Sequence, residues 1–150
     1  MKVIFLDFNG VLDTWEKMDE IAPDNLKRLM YIVEETGAKI VISSSVKNRY
    51  FVDGVLSYMC RYLIDTLTQN GLEVIGMTPY ASGREEEIKL YLEAHPEIDR
   101  FCILDDDYYM ESLKDNFVKL PSQINEQSKG LEDIHVSQVI KILNTKRLRK

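Results

Sequence analysis

Short, continuous apolar runs recur along the chain and are separated by longer amphipathic stretches. Residues 3–6 form the first run, and residues 40–42, directly after Lys39, form a second one of β-branched side chains, so we predict the second strand at residues 39–42. Runs of this length are typical of strands that are buried on both faces of a sheet. We predict three further strands, at residues 72–76, 101–104 and 116–120.

The stretches between these runs carry apolar residues at helical spacing. Pro23 suits the first turn of a helix and Gly37 suits the position after its last turn, so these two residues bound the first helix. Alternating strands and helices predict an α/β fold of three layers, with a central parallel sheet and helices on both faces. We predict four helices, over residues 23–37, 52–69, 84–95 and 134–143.

Length and composition limit the number of domains and the class of protein. The 150 residues fit one domain, with 45% hydrophobic and 29% charged residues, as in ordinary globular proteins. No apolar stretch is long enough to span a bilayer, and the first residues lack the basic start of a signal peptide. Cys60 and Cys102 lie in apolar contexts without metal-site spacing, so we expect buried thiols in a cytoplasmic protein without membrane contact.

The net charge of −6 argues against broad electrostatic binding to nucleic acid. The basic tail, at about residues 145–150, is the exception. A contact with nucleic acid or a protein partner is one interpretation of this tail. We favour a solvated chain terminus instead.

Polar residues of the types that catalyse reactions or bind metals follow three of the predicted strands. Asp7 ends the first strand, the serines at residues 43–45 end the second, and the aspartates at residues 105–107 end the fourth. Because ligands bind beyond the carboxyl ends of parallel strands, we expect all three sets to lie together at that edge. Crowded carboxylates repel one another unless a cation lies among them, and oxygen ligands without His or Cys suit Mg²⁺.

Mg²⁺ among carboxylates and serine hydroxyls is typical of a phosphate site. An Asp carboxylate can also attack phosphorus and form an aspartyl-phosphate. Each part has a structural alternative, because an Asp after a strand is usually a turn residue and serines suit a helix N-cap. Their joint position at three strand ends favours the site.

Four motifs, in order along the chain, carry a family resemblance. They are Leu6-Asp7-Phe8-Asn9-Gly10-Val11-Leu12, Val41-Ile42-Ser43, Gly83-Arg84-Glu85-Glu86-Glu87-Ile88 and Ile103-Leu104-Asp105-Asp106-Asp107. With these motifs, the chain resembles the haloacid dehalogenase (HAD) superfamily of phosphotransferases over nearly its whole length. The serines before Lys47 and the late Gly130-Leu131 pair resemble, more narrowly, the HAD domain of Swiss Army Knife RNA repair proteins. The resemblance implies a Rossmann-like HAD fold.

The resemblance also implies a role for each motif. Asp7 would be the nucleophile, and Ser43 would bind a phosphoryl oxygen of the substrate. Arg84 would balance the charge of Asp7 and of the phosphoryl group, with Lys89 as the alternative to Arg84. Mg²⁺ would be the cofactor, and its ligands would be the Asp7 carboxylate, the backbone carbonyl of Asn9 and the Asp106 carboxylate, with Asp105 or Asp107 acting through water.

Other residues lie beside these motifs. Gly10 and Ser44 would border the substrate pocket. Lys47 could guide an anionic substrate, although a solvated helix charge is the favoured interpretation. Asp13 is interpreted as a turn or cap residue rather than a catalytic one.

Asn9 departs from the HAD pattern, in which an Asp two residues after the nucleophile protonates the leaving oxygen and then activates water. An amide can do neither, so we expect a loss of about 10²–10⁴-fold in rate. Its backbone carbonyl would still bind Mg²⁺. Three explanations stay open: a slow or degenerate natural enzyme, a natural protein with different chemistry, or an introduced change.

The spacing of the motifs leaves no room for a large cap domain. Residues 13–38 have room for one helix, and residues 46–83 have room for a helix, a strand and a loop. We therefore expect an open site. Five aromatic residues could line its rim, with packing as the favoured alternative for each: Tyr50, Phe51, Tyr80, Tyr108 and Tyr109.

These observations lead to two functions of different classes. The first is a Mg²⁺-dependent phosphatase that acts through an aspartyl-phosphate on Asp7 and is slowed by Asn9. Its substrate would be a phosphorylated small molecule, a nucleotide or a polynucleotide end. The second is a catalytically silent module that binds a phosphorylated ligand or a protein partner. A domain detached from a larger repair protein is a third hypothesis.

Overall fold

Five parallel strands form the central sheet. The computed structural model describes residues 1–45, 58–107, 110–124 and 126–145. Neighbouring strands are all parallel, and their order across the sheet is β3-β2-β1-β4-β5. The order reverses beside β1, which is where sheets of this kind bind their ligands. The strands are β1 (Lys2–Leu6), β2 (Lys39–Ile42), β3 (Val74–Met77), β4 (Arg100–Asp105) and β5 (Phe117–Lys119).

Helices connect these strands along the described part of the chain. The first begins with Pro23 after the N-cap residue Ala22, as Pro at the start of a helix predicts. Gly37 ends it with a φ of 73°, and its N–H donates to the Val33 carbonyl oxygen at 2.8 Å. The helices are α1 (Pro23–Thr36), α2 (Tyr58–Gln69), α3 (Arg84–Ala94) and α4 (Asp133–Asn144), with a 3₁₀ helix at Glu111–Asn116.

Both faces of the sheet are buried. Ile4 and Leu6 of β1 pack with residues of α1, α2 and α4 in one apolar cluster. Val3 and Phe5 pack with residues of α3 in a second cluster. A sheet covered on both faces needs apolar side chains at consecutive positions, which explains why β1 lacks polar alternation. The predicted three-layer, Rossmann-like α/β fold is confirmed, and the described residues include no cap domain.

Some element boundaries differ from the predictions. The third strand begins at Val74 rather than Leu72, because the Leu72 N–H donates to the Leu67 carbonyl oxygen and closes the turn after α2. The fifth strand is shorter than predicted, since Asn116 belongs to a 3₁₀ helix that the periodicity did not predict. The helix α3 ends at Ala94, one residue before the predicted end.

Some predictions fall on residues outside the described ranges. Within those ranges, Cys60 and Cys102 are buried free thiols, as predicted. No described helix combines the length and the apolar composition needed to cross a membrane. The predictions that lie outside the described ranges concern the start of the second helix at residues 52–57, the tail at residues 146–150, and five single residues: Lys47, Tyr50, Phe51, Tyr108 and Tyr109.

Candidate functional site

The polar residues that follow β1, β2 and β4 lie together at the carboxyl edge of the sheet. The Asp7 N–H donates to the Leu104 carbonyl oxygen at 3.0 Å, and the Ser43 N–H donates to the Leu6 carbonyl oxygen at 2.8 Å. The hydrogen bonds of the sheet thus continue past the ends of β1 and β2. Asp105 is the last residue of β4, so it lies at the same edge. The sheet itself therefore holds the backbone of these residues in place.

Asp7, Asp105 and Asp106 form a compact group that we call the carboxylate cluster. One carboxylate oxygen from each residue lies within 4.8 Å of those from the other two. Asp7 and Asp105 are buried, at 6% and 1% exposure, and Asp106 is half-buried. Three carboxylate oxygens at this separation are a donor set that suits a hard divalent cation such as Mg²⁺.

Arg84 supplies positive charge beside the carboxylate cluster. It is the first residue of α3, directly after the N-cap residue Gly83. Its Nη1 donates to Asp105 Oδ2 at 2.5 Å and to the Ser43 carbonyl oxygen at 2.6 Å, and it lies 3.7 Å from Asp7 Oδ1. Within the described residues, this single guanidinium pairs with Asp7 and Asp105, two of the three carboxylates, so the cluster keeps an excess of negative charge.

The pKa directions express this imbalance. Burial raises the pKa of Asp7 well above its ordinary value, Asp105 raises it further, and Arg84 lowers it in part. Burial also raises the pKa of Asp105, against the opposing effect of Arg84. Burial lowers the pKa of Arg84, but Asp105 and Asp7 oppose this effect and the net shift is upward. A bound cation would favour the ionised form of both carboxylates.

Gly10 brings the loop after β1 against Asp106. Its φ of 83° lies in the left-handed region, which favours glycine. A Cβ at this position would lie 2.1 Å from Asp106 Oδ2 and 2.3 Å from its Cγ. Glycine is therefore needed both for the turn and for the position of the Asp106 carboxylate.

Ser43 and Ser44 follow β2 and are buried, at 0% and 1% exposure. Ser43 Oγ has no hydrogen-bond partner among the residues that the structure describes. Leaving a buried hydroxyl without a partner costs about 1–3 kcal/mol, so most such groups in folded proteins are paired. This hydroxyl is therefore a candidate donor to a ligand at the edge of the sheet.

A second buried carboxylate lies in the loop after β1. Asp13 is 0% exposed and accepts four hydrogen bonds, and we call it and its donors the Asp13 network. The donors are Asn9 Nδ2 at 2.7 Å, the Gly10 N–H at 2.8 Å, the Asp19 N–H at 2.8 Å and Gln123 Nε2 at 2.6 Å. The network reaches the carboxylate cluster, because the Gln123 N–H donates to Asp106 Oδ2 at 3.1 Å.

Sequence reasoning missed two residues of this network, Asp19 and Gln123. Asp13 was interpreted as a turn or cap residue, and its bonds with Gly10 and Asp19 are turn-like, while its link to Gln123 is long-range. A signal for Gln123 existed, because it follows β5 and the same strand-end rule applies to that strand. Asp19 has a left-handed φ of 66°, for which its sequence offers no signal.

The remaining predicted residues lie at or beyond the margin of the site. The Asp107 N–H donates to Asp105 Oδ1 at 2.8 Å, which places the Asp107 backbone next to the carboxylate cluster. Arg84, rather than Lys89, makes the described ion pairs with the cluster. Tyr80 is 57% exposed, and Lys47 lies outside the described residues.

One described cavity lies away from the carboxylate cluster. It has a volume of about 740 Å³ beside β5 and α4, where Phe117, Lys141 and Ile142 are among the residues that line it. No residue of the carboxylate cluster lines this cavity. We locate the candidate site by its chemistry instead, from the neighbouring carboxylates, the Arg84 guanidinium and the Ser43 hydroxyl, which has no partner among the described residues.

Comparison with known proteins agrees with this geometry. The family described as the HAD domain in Swiss Army Knife RNA repair proteins matches residues 3–136 of the chain. The matched range contains the whole carboxylate cluster and the whole Asp13 network. Searches among curated proteins and among solved structures found no significant match. Because the match covers most of its length, the chain belongs to the family of HAD domains in Swiss Army Knife RNA repair proteins.

Proposed function

We propose that this chain is a HAD-type phosphomonoesterase with Asp7 as its nucleophile. One observation carries the proposal: the Asp7 carboxylate and the Arg84 guanidinium meet at the edge of the sheet where Ser43 lies, and Ser43 Oγ has no partner among the described residues. A phosphoryl group needs a nucleophile, a cation and a hydrogen-bond donor, and these three residues supply one of each.

The donor set of the carboxylate cluster fits Mg²⁺ as the cofactor. Its oxygens lie within 4.8 Å of one another and carry more negative charge than Arg84 balances. When bound, Mg²⁺ would neutralise negative charge on the carboxylates and on the phosphoryl oxygens. The ligands we assign are the Asp7 and Asp106 carboxylates and the backbone carbonyl of Asn9, with Asp105 or Asp107 acting through water.

Phosphoryl transfer begins at Asp7. One of its carboxylate oxygens forms a bond to phosphorus while the ester P–O bond breaks, which gives an aspartyl-phosphate and a leaving alkoxide or phenolate. Ser43 Oγ donates to a phosphoryl oxygen, and Arg84 stabilises negative charge in the transition state. Water then attacks phosphorus, inorganic phosphate leaves, and the Asp7 carboxylate is regenerated.

Both steps include a proton transfer that Asn9 cannot make. The leaving oxygen takes its proton from water, and the attacking water loses its proton to the solvent. Because positioned acid–base catalysis is worth about 10²–10⁴-fold, we expect slow turnover. With a good leaving group, the first step suffers less than the second, so the aspartyl-phosphate accumulates.

The proposed substrate is a phosphorylated small molecule, a nucleotide or a polynucleotide end. The family's description refers to RNA repair proteins, which supports a phosphorylated RNA end. The pocket border is assigned to Gly10 and Ser44, and the proposed role of Lys47 is to attract an anionic substrate. The two buried free thiols fit a reducing cytoplasm as the setting.

The test is release of phosphate from an aryl phosphate and from 3′- and 5′-phosphorylated oligoribonucleotides, with Mg²⁺ and with EDTA. We expect slow, Mg²⁺-dependent release that is abolished in Asp7→Asn. The exposed Asp24 offers a matched control, so Asp24→Asn should release phosphate at the unaltered rate. Release that survives in Asp7→Asn, or no release from any substrate, would overturn the phosphatase proposal.

A silent binding module is the second candidate function. The observation that favours it is the Asn9 amide, which is bonded to Asp13 and Asp19 and offers no titratable group to a substrate. This candidate predicts that inorganic phosphate binds in the presence of Mg²⁺ while no phosphoester is hydrolysed. Titration calorimetry with phosphate, beside the hydrolysis assay, separates the two.

A further inference from the structure

The Asn9 side chain is committed to two carboxylates. Its Nδ2 donates to Asp13 Oδ2 at 2.7 Å and to Asp19 Oδ1 at 2.8 Å. An amide nitrogen carries two hydrogens, so both are used. A carboxylate at position 9 would place an oxygen at these distances from two other carboxylate oxygens, where like charges repel. The surroundings of position 9 therefore suit an amide and oppose an Asp.

Asp13 is committed to the same extent. Its Oδ1 accepts from the Gly10 N–H at 2.8 Å and from Gln123 Nε2 at 2.6 Å. Its Oδ2 accepts from Asn9 Nδ2 at 2.7 Å and from the Asp19 N–H at 2.8 Å. A buried charge persists only when it is paired or hydrogen-bonded, and none of the described ion pairs involves Asp13. Asn9 is therefore one of four donors that compensate this charge.

Asp13 is connected to Asp106 of the carboxylate cluster by two routes. Gln123 donates through Nε2 to Asp13, and through its backbone N–H to Asp106 Oδ2 at 3.1 Å. Gly10 donates its N–H to Asp13, and its Cα faces the same Asp106 carboxylate at a distance that excludes a side chain. A change in the Asp13 carboxylate is thus expected to alter the position of the Asp106 carboxylate.

We propose that Asn9 and Asp13 act as one positioning pair, in which the Asn9 amide compensates the buried Asp13 carboxylate and the pair holds Asp106 in place through Gln123. Asn9 is then a partner that Asp13 requires, rather than an isolated loss of an acid–base group. As a consequence, Asn9→Asp alone introduces an acid–base group but disturbs the Asp13 carboxylate and the position of Asp106. The pairing is a property of the fold, and only the meaning of Asp106 as a metal ligand rests on the proposed function.

The first test is a double-mutant cycle of Asn9→Asp and Asp13→Asn, measured by urea unfolding in EDTA. In Asn9→Asp, the new carboxylate lies next to the Asp13 carboxylate, and the two repel each other. In Asp13→Asn, the new amide N–H₂ lies next to groups that are themselves donors, so hydrogen bonds are lost. We expect each single variant to lower the folding equilibrium constant about 10- to 100-fold. The double variant again has an amide facing a carboxylate at the buried position. It loses the bond from the Asp19 N–H and keeps a repulsion with the exposed Asp19 carboxylate, which solvent screens, so it should fall within about tenfold of the unaltered chain.

Additive losses in this cycle, or an Asn9→Asp variant as stable as the unaltered chain, would overturn the pairing. Asn9→Asp/Asp19→Asn is the matched control. It removes the repulsion with the exposed Asp19 carboxylate but leaves the repulsion with the buried one. It should therefore recover less stability than Asn9→Asp/Asp13→Asn, and equal recovery would also count against the pair.

The second test addresses positioning, and it needs neither metal nor turnover. Amide hydrogen exchange of the Gln123 N–H, which donates to Asp106, is followed by NMR in EDTA. We expect faster exchange in each single variant and recovery in the double variant. The Thr78 N–H, which donates to the Ile42 carbonyl oxygen, is the control for global unfolding. If Gln123 and Thr78 change in parallel, the pair stabilises the fold without positioning Asp106, and the positioning role is overturned.

Discussion

The carboxylate cluster and the Asp13 network lie side by side, but they balance their negative charge in opposite ways. In the carboxylate cluster, the three carboxylates have one guanidinium among the described residues, that of Arg84, which pairs with Asp7 and Asp105. In the Asp13 network, one carboxylate accepts four hydrogen bonds. A fully paired buried group makes a fold rigid, whereas groups that are short of partners are completed by a ligand.

This difference shows which acidic residues of the chain to assign to chemistry. Asp7 and Asp13 belong to the same loop region and are both buried, at 6% and 0% exposure, so burial does not separate them. Their partners do. Asp7 has a raised pKa, caused first by burial and then by Asp105, while Asp13 has donors on both carboxylate oxygens.

Removal of the Arg84 guanidinium should give the largest effect on stability. Arg84→Met leaves Asp7 and Asp105 buried without their contacting cation, and removing one partner of a buried ion pair costs about 3–5 kcal/mol. Urea unfolding in EDTA measures the loss, with Lys89→Met on the same helix as the control. Equal losses in both variants would show that Arg84 does not hold the cluster.

A side chain at position 10 should disturb the carboxylate cluster next most. Gly10→Ala places a Cβ against the Asp106 carboxylate, whereas Gly37→Ala meets nothing within 4 Å at a similar φ of 73°. The two variants share the backbone strain, so their difference isolates the overlap, which should cost about 1–3 kcal/mol. Urea unfolding compares them. The same loss in both would mean that Asp106 does not lie against the loop.

The pH dependence of stability should show the charge imbalance directly. The pKa of Asp7 is raised above its ordinary value of 3.8 by burial first, so the folded chain binds this proton more tightly than the unfolded chain. Its stabilising contribution is therefore full below that ordinary value and is lost as the pH rises through the raised pKa. One proton corresponds to a slope of about 1.4 kcal/mol per pH unit.

Urea unfolding across this pH range, in EDTA, measures that slope. Asp7→Asn removes one titrating group and should reduce the slope, while Asp105, whose pKa burial also raises, still contributes. Added Mg²⁺ should do the same for the unaltered chain, because a bound cation favours the ionised carboxylate in the folded state. An Asp7→Asn profile that matches the unaltered one would show that Asp7 is not short of compensating charge.

The smallest loss of stability should come from Ser43→Ala. Because Ser43 Oγ has no partner among the described residues, its removal breaks no described hydrogen bond and should not lower the free energy of unfolding. Thr36→Ala is the control, since Thr36 Oγ1 donates to the Ile32 carbonyl oxygen at 2.7 Å and its loss should cost about 1 kcal/mol.

Titration with inorganic phosphate in the presence of Mg²⁺ completes this comparison. Ser43→Ala should bind phosphate about 10- to 100-fold more weakly, because a hydrogen bond to a charged group is lost. Thr36→Ala should bind as the unaltered chain does. Unchanged phosphate affinity in Ser43→Ala would remove this hydroxyl from the site.

The fold was predictable because the pattern that forms it is local. Residues 3–6 and 40–42 are apolar at every position, as expected for strands of a sheet that is covered on both faces, and strands β1 and β2 contain these residues. The ends of β3 and β5 were less predictable. The start of β3 depends on the turn that Leu72 closes, and the start of β5 depends on the 3₁₀ helix that contains Asn116. Neither feature follows from periodicity.

The candidate site was predictable to the extent that its residues follow strands or begin a helix. This applies to Asp7, Ser43, Arg84 and Asp105, which topology brings to one edge. The Asp13 network was not predictable, because it joins two loops whose approach no local pattern encodes. Asp13 and Gln123 lie 110 residues apart in the chain.

The most direct test of the account is whether Asp7 accepts a phosphoryl group. The chain is mixed with an aryl phosphate and Mg²⁺, quenched in acid, and the masses of the intact protein and of the peptide that contains Asp7 are measured. We predict one phosphoryl group on Asp7, retained in Asp24→Asn and absent in Asp7→Asn or with EDTA. A chain that binds Mg²⁺ and phosphate but never carries a phosphoryl group on Asp7 would contradict the account and favour the silent module.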